Sequence, residues 1–186
     1  MSTNNREAIL DAAKKAAQAH GYSGLNFRDL AEAVGIKSAS IHYHFPGKAD
    51  LGAAVAKRYW EDSAAELDAM LIAADPMTCL RQYPDTFRRS LESDNRMCLS
   101  SYMAAEYDDL PAAVKTEVQV FADVNVAWLG KVLVAAGAVS AEESAGRARA
   151  IYAAVVGAQL VARMRSNIAL YDALIESYRA AGLLPA

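Results

Sequence analysis

From residue 37 to residue 48 the chain reads KSASIHYHFPGK, a short run crowded with small or planar polar side chains. Carried on a helix, Ser38 and Ser40 can reach base edges or phosphates, and Ala39 can meet a thymine methyl. Tyr43 is long enough for a base edge or a phosphate. Lys37, His42 and His44 project variously toward solvent or toward the same ligand. Lys48, just past Pro46-Gly47, suits a phosphate, helped by the free N–H groups of the helix it opens. Arg28, in the first turn of the helix before, is a second candidate for a phosphate or groove contact. His42 and His44 are not a metal pair, because i, i+2 positions point about 200° apart on a helix.

Other residues could build a small-ligand pocket. Cys98, Tyr102 and Glu106 fall at i, i+4 and i+8; Phe121 and Trp128 lie seven residues apart; Tyr152, Gln159 and Arg163 fall at i, i+7 and i+11. Aromatic walls with a few convergent polar groups are what such a pocket needs. Plain core packing accounts for each of them as well, and Arg163 can snorkel to the surface. Cys98 stands near a predicted helix N-terminus and two residues after Arg96, both of which favour thiolate over thiol. Against that, a buried free cysteine is ordinarily inert packing, and Cys79 has nothing comparable in its favour. Cysteine with histidine is the one nucleophile arrangement to weigh, but His20, His42 and His44 all lie in the first 50 residues, within the expected helix-turn-helix domain. With no phosphate loop, zinc motif or serine elbow, the expectation is no enzyme, no metal and no cofactor.

The elements that must position these residues are helices. Helical periodicity runs throughout, with no strand-like alternation. The first helix is expected from about Asn4 to His20, turning Ile9, Ala13, Ala16 and Ala17 inward, with Gly21 as the left-handed residue past its end. Asn26 caps a second helix whose Leu30, Ala31 and Val34 face inward, and Gly35 makes the turn. The third covers Ser38 to His44, with Ile41 and Phe45 as its buried face, and Pro46-Gly47 ends it. A long fourth helix runs from Lys48 to about Ala74, and Asp75-Pro76 starts a fifth. Further helices are expected at about 98–109, 112–137, 141–165 and 168–182. The fold class is therefore all-α, about nine helices: a three-helix helix-turn-helix domain at 1–50 and a larger helical domain at 51–186. A boundary within the fourth helix would join head and body rigidly. An ordinary helix hairpin with a solvated face is the plainer alternative for residues 26–48.

Charge separates the two parts. The net charge is −3, yet residues 1–60 carry eight Lys/Arg against five Asp/Glu, giving +3, which leaves −6 for the remainder. A basic head on an acidic body can dock on phosphates with one end only. An architectural DNA binder without an effector would need a more basic surface. The longest apolar stretch, Ala153 to Ala162, is about half of the roughly 20 residues a membrane span needs and includes Gln159. The opening MSTNNREAILDAA lacks the apolar core of a signal peptide, so a cytoplasmic protein without a membrane partner is expected. Residues 151–162, IYAAVVGAQLVA, are apolar nearly all round and must be covered on both sides. With the stripe Ile168, Tyr171, Leu174, Ile175 and Tyr178 they point to a two-fold homodimer through the last two helices.

The string from Gly21 to Leu51, with LNFRDLAEAVGI, SIHYHF and PGKADL, resembles the N-terminal domain of the tetracycline-repressor (TetR) family over about the first 55 residues. That resemblance implies a homodimeric, all-helical repressor that binds a double-stranded DNA operator and whose body takes a small-molecule effector and releases the DNA. Carried over by position, the DNA contacts are Arg28, Lys37, Ser38, Ala39, Ser40, His42, Tyr43, His44 and Lys48. Lys37 stands where the family usually has a serine helix cap, which leaves a shift of the cap to Ser38 open. Position 42, often Tyr in the family, is His. The stretch RMCLSSYMAAEYDDLPAAVKTEV is similar to the body of the branch typified by the N-ethylmaleimide reductase repressor, which senses electrophiles and oxidants. Cys98 falls at that branch's matching cysteine.

Overall fold

A computed structural model describes residues 2–186, with side chains from residue 5 onward. Among the described residues there are nine α-helices and no strand: α1 (Ser2–His20), α2 (Phe27–Val34), α3 (Ser38–His44), α4 (Lys48–Ala73), α5 (Pro76–Glu92), α6 (Leu99–Ala105), α7 (Ala112–Ala135), α8 (Ala141–Met164) and α9 (Ile168–Ala180). The boundaries expected from capping signals hold closely, with one notable difference. The helix expected over 98–109 stops at Ala105 and tightens into a 3₁₀ turn at Tyr107–Asp109. Asp108 and Asp109 would otherwise add two carboxylates to the negative end of a helix, and Pro111 prevents further extension.

The chain divides into two compact units, Met1–Asp62 with Cys98–Phe121, and Ser63–Met97 with Ala122–Ala186. The first unit therefore holds more than residues 1–50: it takes in α6 and the first part of α7. Its core joins Ile9, Ala13 and Ala17 of α1, Leu30 of α2, Ile41 of α3, Phe45, and Leu51 and Val55 of α4 to Leu99, Met103 and Val114. Ile41 and Phe45 are buried with Leu30, as their spacing requires, and Val34 and Ala16 pack at its edge. The Asn26 side chain accepts from the N–H groups of Arg28 (2.8 Å) and Asp29 (3.4 Å), satisfying two otherwise orphaned donors of α2. Gly35, at φ 75°, ends α2 in the left-handed region that favours glycine. At the start of α4, Asp50 reaches back to accept from Gly47 N–H at 2.9 Å.

The second unit packs α5, α8 and α9 with the later parts of α4 and α7. Asp75 caps α5 by accepting from Met77 and Thr78 N–H, and Ser140 with Glu143 closes a capping box on α8. α7 is long and apolar enough, by length and composition alone, to cross a membrane. Much of that apolar surface is core, with Val114, Val118, Phe121, Trp128, Leu129, Val132 and Leu133 buried.

The last two helices differ from expectation in one respect. The apolar stripe of α9 faces its own unit: Tyr171 and Ile175 are buried, and Ile168, Leu174 and Tyr178 are half-buried. The Tyr171 hydroxyl donates to Pro84 O at 2.7 Å, which fixes α9 on α5. What α9 turns outward is Ala169, Ala173, Glu176, Ser177 and Ala180. α8 does have two faces. Ile151, Val155, Ala158 and Ala162 are buried, while Ala153, Leu160 (46% exposed), Val161 and Met164 (69% exposed) form an outward apolar stripe.

Candidate nucleic-acid interface

α3 is seven residues long, and its two faces are sharply divided. Ile41 and the following Phe45 hold it from behind, while Ala39, His42 and Tyr43 stand outward and Ser38, Ser40 and His44 are half-buried along its flanks. Tyr43 is 80% exposed, and the His44 ring meets it edge-on at 5.1 Å. The His42 ring packs at 4.7 Å against Phe27, the first residue of α2, so His42 takes part in fixing the angle between the two helices. Lys37 is the N-cap of α3 and makes no side-chain cap hydrogen bond. The cap has not moved to Ser38, which is the first helical residue. Arg28 and Lys37 are exposed, at the starts of α2 and α3 respectively.

Lys48 is more constrained than a free phosphate hook. Its ammonium donates to Ser23 O at 3.1 Å and lies 4.7 Å from the centre of the Tyr22 ring. Beside it runs a groove of about 380 Å³, bounded by Ser23, Asn26, Phe27, His42 and Gly47. Every side chain in the expected DNA-contact set thus belongs to the first unit, on α2, α3, the cap before α3 and the first residue of α4.

The eight residues expected to line a ligand pocket are placed otherwise. Cys98, Tyr102, Glu106 and Phe121 belong to the first unit, and Trp128, Tyr152, Gln159 and Arg163 to the second. Phe121 is buried and stacks on Tyr59 at 5.3 Å. Trp128 is buried and donates its indole N–H to Leu67 O at 3.1 Å. Gln159 is buried and donates Nε2 to Phe87 O at 2.6 Å. Tyr152 is half-buried, edge-on to Phe87 at 6.3 Å. Arg163 is half-buried, and its carbonyl accepts from Asn95 Nδ2 at 3.1 Å. Tyr102 is half-buried on α6.

Cys98 has an electrostatic setting opposite to the expected one. It is indeed the N-cap of α6, but only 1% exposed, and burial pushes its thiol above the ordinary value near 9. Hydrogen bonds from Ser101 and Tyr59 pull the other way and are outweighed, because removing a thiolate from water costs more than these neighbours return. The Glu106 carboxylate, expected on a pocket wall, accepts from the backbone N–H groups of Tyr22 (2.5 Å) and Ser23 (3.2 Å). No local pattern in the sequence signals that tie, since its partners are main-chain groups some 84 residues away.

A family model described as bacterial regulatory proteins, tetR family, matches residues 9–55. The HTH-type transcriptional repressor ComR of Escherichia coli K12 is 37% identical over 71 residues, covering 38% of this chain and 34% of that protein. The matches to curated relatives span about a third of those proteins' length. Over nearly the full length, a TetR transcriptional regulator from Legionella pneumophila superposes with a TM-score of 0.87 at 30% identity, covering 94% of this chain and 95% of that one. Escherichia coli NemR in its reduced form superposes with a TM-score of 0.84 over 98% of both chains, but at 18% identity that is a likeness of fold alone. With the helix-turn-helix at one end and a 30%-identical relative along the whole, the chain belongs to the TetR family of transcriptional regulators.

Proposed function

We propose that this chain is a ligand-responsive transcriptional repressor. Residues 1–50 read a palindromic operator, and residues 51–186 bind a small-molecule effector and form a two-fold dimer. The observation that carries the reading is α3 itself. Its apolar face is fully used by Ile41 and Phe45, and its opposite face leaves Tyr43 standing clear, flanked by Ala39, His42 and the exposed Lys37. A recognition helix needs this division between a face that is held and a face that reads. Repression is supported by the stretch shared with a curated repressor. Dimerisation is supported by the outward stripe of Ala153, Leu160, Val161 and Met164 on α8, beside the small outward residues of α9. The protein acts in the cytoplasm, where operator and effector meet, and the reading assigns it no catalysis.

Effector control follows from linkage: the small molecule must prefer the body conformation that is unfit for DNA. A non-covalent effector fits better than a switch centred on Cys98, because the buried thiol is disfavoured as thiolate. The test is fluorescence anisotropy with operator DNA selected by the protein from a genomic pool, against random DNA as control. Tyr43→Ala should lose about 1–3 kcal/mol per half-site, tenfold or more in Kd, with the melting temperature held. Unchanged operator affinity in Tyr43→Ala removes α3 as the reading element.

A further inference from the structure

Glu106 closes the C-terminal end of α6, and its two carboxylate oxygens each take one of two consecutive backbone N–H groups, those of Tyr22 and Ser23. Successive N–H groups beside a left-handed residue form a small anion-binding concavity, and Gly21 at φ 67° provides that residue here. The fit is close enough that a Cβ at Gly21 would overlap the Glu106 carboxylate. The same two residues act on the start of α4. Ser23 O accepts from Lys48 Nζ at 3.1 Å, and the Tyr22 ring lies 4.7 Å beneath that ammonium. The Tyr22 ring also rests on α4 one turn further on, where a Cβ at Gly52 would come 2.7 Å from Tyr22 Cε2. From α6 to the first turn of α4 the contacts are therefore continuous: Glu106, the Tyr22-Ser23 loop, Lys48 and Gly52.

We propose that Glu106 is a positioning residue for DNA binding, whose carboxylate holds the Tyr22-Ser23 loop and through it orients Lys48 toward a phosphate. This rests on the DNA-binding reading above. The carboxylate touches no DNA; it sets the place from which Lys48 does. A shift of α6 that withdraws Glu106 frees the loop, removes the acceptor and the ring that hold Lys48, and weakens the head's grip on phosphate without altering α3. Communication between α6 and the DNA face then runs through a surface loop as well as through the packed helices.

The test uses the full chain, its selected operator, and the variants Glu106→Ala, Glu106→Gln and Lys48→Ala. Amide exchange is followed at residues 21–25 and 47–52. Glu106→Ala is expected to weaken operator binding tenfold or more, to flatten the salt dependence by about 0.9 per half-site as one phosphate contact is lost, and to speed exchange in both segments. Glu106→Gln keeps an acceptor oxygen and should fall between parent and Ala. In the Lys48→Ala background the Glu106→Ala loss should largely vanish, because the two act through one contact. Additive losses, an unchanged salt dependence, or faster exchange confined to residues 21–25 overturns the proposal. If the parent binds no DNA at all, the DNA-binding reading falls, and exchange at 47–52 alone decides whether Glu106 holds α4: accelerated supports it, unchanged overturns it.

Discussion

Replacing Lys37 by serine should make the protein more stable and a weaker DNA binder at once. Lys37 occupies the N-cap of α3 with extended backbone (φ −80°, ψ 145°), the conformation a capping serine adopts, yet it makes no side-chain cap hydrogen bond. It cannot, because an ammonium only donates and the helix start needs an acceptor. The N–H of Ser40 makes do with Lys37 O at 2.8 Å. A serine hydroxyl at position 37 would accept from the second or third helical N–H, worth about 1 kcal/mol within a range of about 0.5–2. Removing a cation from the positive end of the helix adds about 0.3–1 kcal/mol at an exposed site. At about 2–4 °C per kcal/mol for a chain of this size, a central gain of about 1.3–2 kcal/mol should raise the melting temperature by roughly 3–8 °C. Against that, an exposed cation beside the reading face is lost, so the slope of log K against log salt should become shallower by about 0.9 per half-site, about 1.8 for a dimer. Calorimetry and anisotropy at three or four salt concentrations read the two effects separately. A melting temperature that does not rise would refute the account of the cap, and an unchanged salt slope would remove Lys37 from the contact set.

Two further outcomes concern one buried group and one paired group. Because burial raises the Cys98 thiol above its unfolded-state value near 9, the stability it contributes is complete below that value and is lost as pH rises through the raised one. Iodoacetamide at pH 8 should therefore label Cys98 far more slowly in the folded chain than in denaturant, and equal rates would show the thiol to be open. Asp172 has the opposite sign. Its hydrogen bond with Arg88 holds the carboxyl below the usual range, so the contribution is present above about pH 3.9 and is lost as pH falls through the lowered value. Asp172→Asn should melt lower than the parent at pH 7, and the gap should close in acid; a gap independent of pH would place the effect in packing instead.

The helices and the division of α3 into a held face and an outward face were legible in sequence because they depend on local patterns. Asn26 before an apolar 3.6-period run, Asp75 before Pro76, and Ile41 with Phe45 at i, i+4 each state their role within a few residues, and the structure places each accordingly. The roles of Glu106, Gln159 and Trp128 were not legible. Periodicity gives the face of a helix on which a residue sits but not what the fold brings opposite, and here the partners are main-chain groups at Tyr22, Phe87 and Leu67. Backbone acceptors and donors are the same in every residue, so they leave no trace in composition. Cys98 shows the same limit for electrostatics. Its place at a helix start was readable, but the burial that overrides that start depends on neighbours distant in sequence. The stripe on α9 shows a related limit, since an apolar stripe says only that something covers it, and α5 and α8 both pack on α9 from within the chain.

Within α3 the two outward aromatic positions are not equivalent. Tyr43 touches little but the edge of His44, so its side chain stands clear of the fold, and its removal leaves the packing between α2 and α3 intact. His42 stands against Phe27, and the angle between the helices rests partly on that ring contact. A helix of seven residues has too few turns to fix its own orientation; by itself it would scarcely form, since helix nucleation is unfavourable at that length. Its direction comes from Ile41 and Phe45 behind and from His42 at the side. On the proposed reading, specificity in such a head has two sources: residues such as Tyr43 would set which groups are offered to the DNA, and residues such as His42 the angle at which they arrive. A histidine at position 42 supplies a flat ring for Phe27 and a nitrogen edge for solvent or DNA, and a change there alters both at once.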